Sequence, residues 1–496
     1  MPRIDRAAAA LALACLVAAC ANTAPDLAPA RADAPWQPPG APPANGFVLP
    51  PQPALAELPP TPDIDPAHAY TLPELIDLAQ RHHPATRIAW IDARNAALAA
   101  GAAQRSWLPQ LSATVLAGYQ RRRGSSEGRF LSVDDDARGH GAVGVLSLQW
   151  LLFDFGERAA LAEGAEQGAV VAGIGFTAAH QQLIESVSLA YYAHGAARSR
   201  VGVAQRSLAN SRQVLEAAQA RQRQGIGTVI EVAQARQGVA QAELARVQAE
   251  GRARDAHHAL VAAMGISPLA PLKVADAPAP ALGRASEAPV ERIVAEALAR
   301  RPDVQAAHAA LLASRAGAKA ADAARLPKVF LAASASRSSG AASVAALPGI
   351  GQQGPALDLS GSGSGAGVFV GVTVPLFDGG TRETAQAQAA QRVDAAQARL
   401  DRARQQAVQQ IVVAQDALRT ALASAEAAEA LQATAALTHD AALEAYRHGV
   451  GTITAVTLAD TQMLQAGQAL ADARAAAQSA AVSLAFATGA LGSAPR

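Results

Sequence analysis

Gly225-Ile226-Gly227-Thr228 returns in the second half of the chain as Gly449-Val450-Gly451-Thr452, each time at the end of a long helical tract. Glycine supplies the left-handed turn that stops a helix, and threonine can cap the next one. Each motif therefore reads as the tip of a helical hairpin. The first hairpin rises over about 157–223 and returns over about 228–264; the second spans about 381–448 and 452–488. Sixty-odd helical residues make a rod of about 100 Å. A rod of that length does not fit inside a globular domain, so the spacing predicts a coiled coil or a helical barrel. Alanine fills both faces of these tracts and blurs their periodicity.

The interval from Gly225 to Gly449 also links Phe153-Asp154-Phe155-Gly156 to Phe377-Asp378-Gly379-Gly380, Arg158 to Arg382, and Gly265 to Gly489. Earlier landmarks share a slightly shorter interval: Pro84 pairs with Pro302, and Leu108-Pro109 with Leu326-Pro327. A six-residue insertion between Pro327 and Phe377 accounts for the difference. Five landmarks in the same order make this an internal duplication. Each copy opens with a helical stretch, about 71–106 and 289–325, which the internal proline divides into a short helix and a resumed one.

Between the Leu-Pro pair and the Phe-Asp motif, each copy carries two stretches of period-2 alternation. In the first, Leu111, Ala113, Val115 and Ala117 face one way, and a partner strand sets out Leu146, Leu148, Trp150 and Leu152. In the second, Val329, Leu331, Ala333 and Ala335 are followed by Val368, Val370, Val372 and Val374. Alternation over about ten residues fits a transmembrane β-strand, and equally a strand of a soluble sheet. The connections at 120–142 and 337–366 are polar and read as long loops, as at the outer rim of a barrel. Four strands cannot close a cylinder, for which roughly eight is the usual minimum. In lipid, the open edges would leave backbone groups unsatisfied at several kcal/mol each. Three copies supply twelve strands and room for a channel.

Composition agrees. Half the residues are hydrophobic and only 4% aromatic, so the chain suits closely packed alanine-rich helices. Net charge is +1, with no basic stripe, which argues against nucleic-acid binding. The cysteines, Cys15 and Cys20, both lie near the N-terminus. Arg3 and Arg6 precede an apolar run, Ala7 to Ala19, in the manner of a signal peptide. Val17-Ala18-Ala19-Cys20 resembles a bacterial lipoprotein box, which implies acylation at Cys20; Ala21 after it resembles the sorting signal for the outer membrane. A Pro/Ala-rich stretch follows. The expected organisation is a signal peptide at 1–19, a lipid-anchored tether at 20–70, repeat 1 at 71–265, a connector at 266–288 and repeat 2 at 289–490.

No catalytic, metal or cofactor motif stands out. His82-His83 and His257-His258 are adjacent pairs, which point about 100° apart on a helix and chelate poorly. Gly361-Ser362-Gly363-Ser364-Gly365 has no following lysine and reads as a linker.

Taken as a set, the duplication, the Leu-Pro and Phe-Asp-x-Gly-x-Arg motifs and the Gly-x-Gly-Thr tips resemble the TolC-like outer-membrane factor family, in its lipoprotein branch, over about 70–490. The resemblance implies a mainly α fold: a homotrimer whose α-helical barrel continues a twelve-stranded transmembrane β-barrel, four strands per chain. It implies a channel of a tripartite efflux system in the outer membrane of a Gram-negative bacterium, without catalytic activity. A periplasmic adaptor and an inner-membrane pump would be its partners. The outlet of a type I protein secretion system is the alternative within the family; a periplasmic coiled-coil scaffold without a pore is the contrasting reading. At the tips, Arg221, Gly225, Gly227, Thr228, Arg447, Gly449, Gly451 and Thr452 match residues that meet the adaptor. Asp460 matches a carboxylate that narrows the periplasmic end and is the candidate gate. Thr457 stands where a second acid is common, and Glu231 is a weaker candidate.

Overall fold

The computed structural model describes residues 62–128, 131–276, 290–339 and 363–492, with short stretches at 28–29, 31–36, 38 and 46–56. The chain divides into two units, Met1–Thr61 and Pro62–Arg496. In the first, a 3-10 turn spans Pro53–Leu55. Cys20 and the signal segment lie outside the described residues.

The second unit is built twice from helices of equal length. In copy 1, α1 spans Leu72–His82, α2 Pro84–Arg105, α3 Glu157–Arg223 and α4 Val229–Ala263. In copy 2, α5 spans Val290–Arg300, α6 Pro302–Ala323, α7 Thr381–Arg447 and α8 Ile453–Ala487. Pro84 and Pro302 occupy the first helical position of α2 and α6, where a missing N–H removes no hydrogen bond. They start helices there rather than kink them. Strands β2 (Gln110–Gly128), β3 (Leu131–Phe153), β5 (Lys328–Ser339) and β6 (Ser364–Thr373) form one antiparallel sheet in the order β2-β3-β5-β6. Two short strands, β1 (Ala69–Tyr70) and β4 (Lys273–Val274), pair in parallel.

The expected loop at 120–142 is corrected: β2 and β3 continue as a ribbon from Gln110↔Gln149 to Gly128↔Leu131. β5 joins β3 only up to Ala142↔Ser339, so the ribbon projects beyond the four-stranded sheet. Paired strands satisfy each other's inner backbone groups without a buried face, so polar residues did not end the ladder. Most of the other polar connection, 340–362, lies outside the described residues.

In register, Ala113 opposes Leu146, which opposes Ala335 and then Ala366; Leu111 opposes Leu148, then Ala333 and Val368. One face is thus apolar across all four strands, and its valines stand open, with Val115 76% and Val368 71% exposed. The other face carries polar pairs such as Ser112 Oγ to Ser147 Oγ at 2.7 Å.

Sheet and rods meet at the Phe-Asp motif. In copy 1, Arg158 Nε donates to Asp154 Oδ2 at 2.9 Å, and its Nη1 donates to Leu151 O at 2.7 Å and Ser106 O at 3.3 Å. Its guanidinium lies 4.2 Å over the Trp107 ring, and Trp150 Nε1 donates to Trp107 O at 2.8 Å. In copy 2, Arg382 and Asp378 pair at 3.2 Å but stay at the surface.

The long α3 packs against α4, α2, α6 and α8, and α7 packs against α8 and α6, so the two copies share one helical layer. Small residues line its seams at heptad spacing: Ala197, Ala204, Ser211 and Ala218 on α3, and Ala235, Ala242 and Ala249 on α4, are buried. A seven-residue repeat of buried positions produces left-handed supercoiling. At mid-length, α1 and β4 cover α3 and the end of α4 through Leu75, Leu183, Val187, Tyr191, Leu260, Met264 and Val274. Copy 2 places Arg301 at the matching junction, where Nη1 donates to Ala487 O at 2.7 Å and Nη2 to Gln410 Oε1 at 2.6 Å.

Candidate functional site: the hairpin tips and the α3–α8 seam

Gly225 and Gly449 have φ of +79° and +85°, the left-handed region that ends α3 and α7. Gly227 and Gly451 need a bare Cα for a different reason. A Cβ there would lie 2.8 Å from Gln222 N and 2.9 Å from Tyr446 N. Thr228 Oγ1 then accepts from Glu231 N at 3.2 Å, and Glu231 Oε2 accepts from Thr228 N at 3.2 Å, a reciprocal capping box. Thr452 Oγ1 accepts from Ala455 N at 3.2 Å; alanine at 455 leaves this tip half of the box.

The two tip arginines part company. Arg221 reaches across to copy 2: Nη1 donates to Tyr446 O at 2.8 Å, and the guanidinium lies 4.8 Å over the Tyr446 ring. Tyr446 is fully buried, and its hydroxyl donates to Glu231 Oε2 at 3.4 Å. Burial and then the Glu231 charge push the Tyr446 hydroxyl pKa upward. One arginine, one tyrosine and one glutamate therefore clamp the two tips together. Arg447 remains exposed and pairs with Glu444 at 2.6 Å. Around the tips stand apolar side chains: Ile226 (61% exposed), Val229 (71%), Ile230 (69%) and Val450 (85%). Ile226 and Val450 lie inside the two tip motifs, whereas Val229 and Ile230 follow the first motif and carry no signal of their own in the sequence.

Asp460 is placed in the seam between α8 and α3. Its Oδ2 accepts from Ser211 Oγ at 2.6 Å, and its Oδ1 lies 4.0 Å from His439 Nε2 on α7. Burial raises the Asp460 pKa, against the Ser211 hydrogen bond, which lowers it. Beside it opens a cleft of about 400 Å³, lined by Ser207, Gln234, Gln241, Thr454 and Thr457. Thr457 Oγ1 donates to its own helix at Ile453 O, 3.0 Å away.

Higher on α3, the buried His194 ring lies 5.6 Å from that of His257, which in turn neighbours His258. Burial, with His257 and Arg198 adding to it, pulls the His194 pKa down to about 4. Among the described residues there is no cluster able to hold a metal ion, and no helix long and apolar enough to cross a membrane.

A profile described as outer membrane efflux protein matches residues 75–266 and 293–490. Protein CyaE of Bordetella pertussis is 29% identical over 355 residues, covering 71% of this chain and 70% of the relative. The pyoverdine export outer membrane protein OpmQ of Pseudomonas aeruginosa is 31% identical over 278 residues, 55% of this chain and 57% of the relative. Among solved structures, CusC superposes with a TM-score of 0.71 at 20% identity, covering 84% of this chain and 91% of that one. The outer membrane protein VceC of Vibrio cholerae gives 0.69 at 21% identity, covering 84% and 96%.

Proposed function

The chain belongs to the outer membrane efflux protein family, and on that premise we propose that it is the homotrimeric outer-membrane channel of a tripartite export system. The observation that carries this is the four-stranded sheet with β2 and β6 as open edges, continuous with helices of 67 residues. The outward apolar face suits lipid, and the open edges need partners there. Three copies close a twelve-stranded barrel, and the rods below continue its lumen into the periplasm. Acylation at Cys20 anchors the chain. The channel performs no chemistry; energy for export comes from an inner-membrane pump reached through a periplasmic adaptor.

The tips meet the adaptor through Gly225, Gly227, Thr228, Arg447, Gly449, Gly451 and Thr452, with Ile226 and Val450 adding apolar contact at their centre. Arg221 serves the same end indirectly, by holding the tips at fixed separation. Asp460, one per chain and three per trimer, works at the gate by tying α8 to α3. The exported cargo is a small molecule, as with the pyoverdine-exporting relative.

The test is planar-bilayer recording on the detergent-purified protein, together with its mass by native mass spectrometry. A trimer that conducts ions is expected. A monomer, or a trimer that never conducts, removes the channel reading.

A further inference from the structure

We propose that Phe330 and Phe369 form an aromatic stripe on the inner wall of the barrel, on which planar, uncharged aromatic molecules stack as they leave. This rests on the channel reading above and names a class of cargo for it.

Both residues lie on the face of the sheet opposite its exposed valines. Phe330 opposes Gly371, and Phe369 opposes Ala332, in the ladder between β5 and β6. Directly opposed residues share a face, and every second residue of a strand returns to it. Ser334 therefore shares that face, as does Ser147, which opposes it on β3. In a closed barrel this face lines the bore, because the other one meets lipid. It is already the more enclosed face in the single chain, where Val143 and Val145 on it are 3% and 8% exposed.

Each ring is laid against a glycine. A Cβ on Gly371 would fall 2.8 Å from Phe330 Cε1, and one on Gly367 would fall 2.9 Å from Phe369 Cε2. Phe330 thus leans across the ladder, and Phe369 leans along its own strand. Between them they cover the wall from Gly371 to Gly367, about 13 Å of strand. Filling the gap over a strand glycine is one use of an aromatic side chain, but it occupies only one face of each ring. The other face is open to the bore: Phe369 is 52% exposed, and Phe330 is half-buried. Rings that lie along the wall offer a stacking surface without closing the passage.

The duplication shows that the hairpin does not need these rings to form. The intervals from Pro84 to Pro302 and from Phe153 to Phe377 carry Phe330 back to Ser112, Gly371 to Ser147 and Phe369 to Val145. In copy 1 that place holds a serine pair, Ser112 Oγ to Ser147 Oγ at 2.7 Å. The stripe belongs to copy 2 alone, so a trimer carries three, alternating with three serine-lined sectors.

The surroundings select the ligand. At the lower end of this face, Lys328 pairs with Glu157 at 2.6 Å. Above Lys328 the described residues of the face carry no charge, so a charged molecule would find no counter-charge beside the rings. Ala332 stands between Phe369 on one side and Gln149 on the other. Two strand spacings, about 10 Å, therefore separate a phenyl ring from a carboxamide. A fused-ring molecule spans that distance, stacking at one end and hydrogen-bonding at the other.

The test is single-channel recording in planar bilayers with caffeine, a neutral planar heteroaromatic, against inositol, a neutral non-aromatic. Caffeine should interrupt the current in discrete events whose frequency rises with concentration, and inositol should not. Phe330→Leu with Phe369→Leu keeps apolar bulk over the glycines but removes the π-faces. It should retain the trimeric mass and the conductance without caffeine, and shorten the caffeine events at least fivefold. Phe330→Trp with Phe369→Trp enlarges the π-faces and should lengthen them at least twofold. If caffeine leaves the wild-type current uninterrupted, or its events last equally long in wild type and in either double variant, the stripe is no cargo contact and the channel reading survives. A wild-type protein that is monomeric or never conducts removes both.

Discussion

His439 Nε2 on α7 and Asp460 Oδ1 on α8 face each other at 4.0 Å, both buried and neither with a hydrogen-bond partner among the described residues. Asp460 accepts from Ser211 on its other oxygen, with Asn210 also acting on the carboxylate, while His439 Nδ1 lies 3.2 Å from Asp440 on its outer side. Burial raises the Asp460 pKa above its ordinary 3.8. The folded chain therefore binds that proton more tightly than the unfolded chain. The contribution to stability is present at low pH and is lost as pH rises from 3.8 through the raised value. Asp460→Asn removes the charged form and can donate to His439 Nε2. It should raise stability at pH 7 by on the order of 1 kcal/mol per chain and flatten the fall as pH rises above 3.8, as read by thermal unfolding of the detergent-solubilised protein. A variant less stable than wild type at every pH would show that the carboxylate is held as a charge.

Arg221 and Arg447 both precede a tip but stand at different places in the duplicated motif, four residues before Gly225 and two before Gly449, and have opposite surroundings. Arg221→Ala removes the bond to Tyr446 O and the contact with its ring. The two tips then lose their clamp, and single-channel conductance should rise several-fold. Arg447→Ala removes an exposed pair with Glu444, of a kind that contributes about 0–1 kcal/mol, so conductance should stay near wild type. Equal conductance from the two variants would count against the clamp.

The Asp-Arg pair after β3 is buried, its side chains 3% and 6% exposed, whereas the matching pair after β6 is 30% and 42% exposed. Asp154→Ala leaves Arg158 charged and buried, a loss of about 3–5 kcal/mol. Asp378→Ala should change stability by less than about 1 kcal/mol. Urea or thermal unfolding of both variants checks the contrast, and similar losses would contradict it.

His194 provides an acid-sensitive point outside the sheet. Its pKa falls from 6.5 to about 4 on folding, so the unfolded chain binds the proton first as pH drops. The stability it contributes is complete above pH 6.5 and is lost as pH falls from 6.5 toward 4. Facing groups are His257, Arg198 and Asp276, of which only Asp276 opposes the shift. His194→Gln should lose less stability than wild type across that window, measured as melting temperature against pH. Parallel curves for the two proteins would rule His194 out as the acid-sensitive group.

The sequence by itself determined where the helices begin and end. Glycine's left-handed turn at Gly225 and Gly449, threonine's cap at Thr228 and Thr452, and proline's fixed first turn at Pro84 and Pro302 act within a few residues. So the 67-residue rods and their returns could be read from local sterics. Tertiary structure alone decided which groups those elements bring together. The ribbon through 120–128 formed because a partner strand satisfied its backbone, whatever its polarity. Asp460 met Ser211, and Arg221 met Tyr446, because 249 and 225 residues of chain were folded back between them. No local propensity encodes such a meeting, which depends on how two rods are set side by side. The heptad seam was hidden for a related reason: alanine looks the same on every face until packing buries one of them.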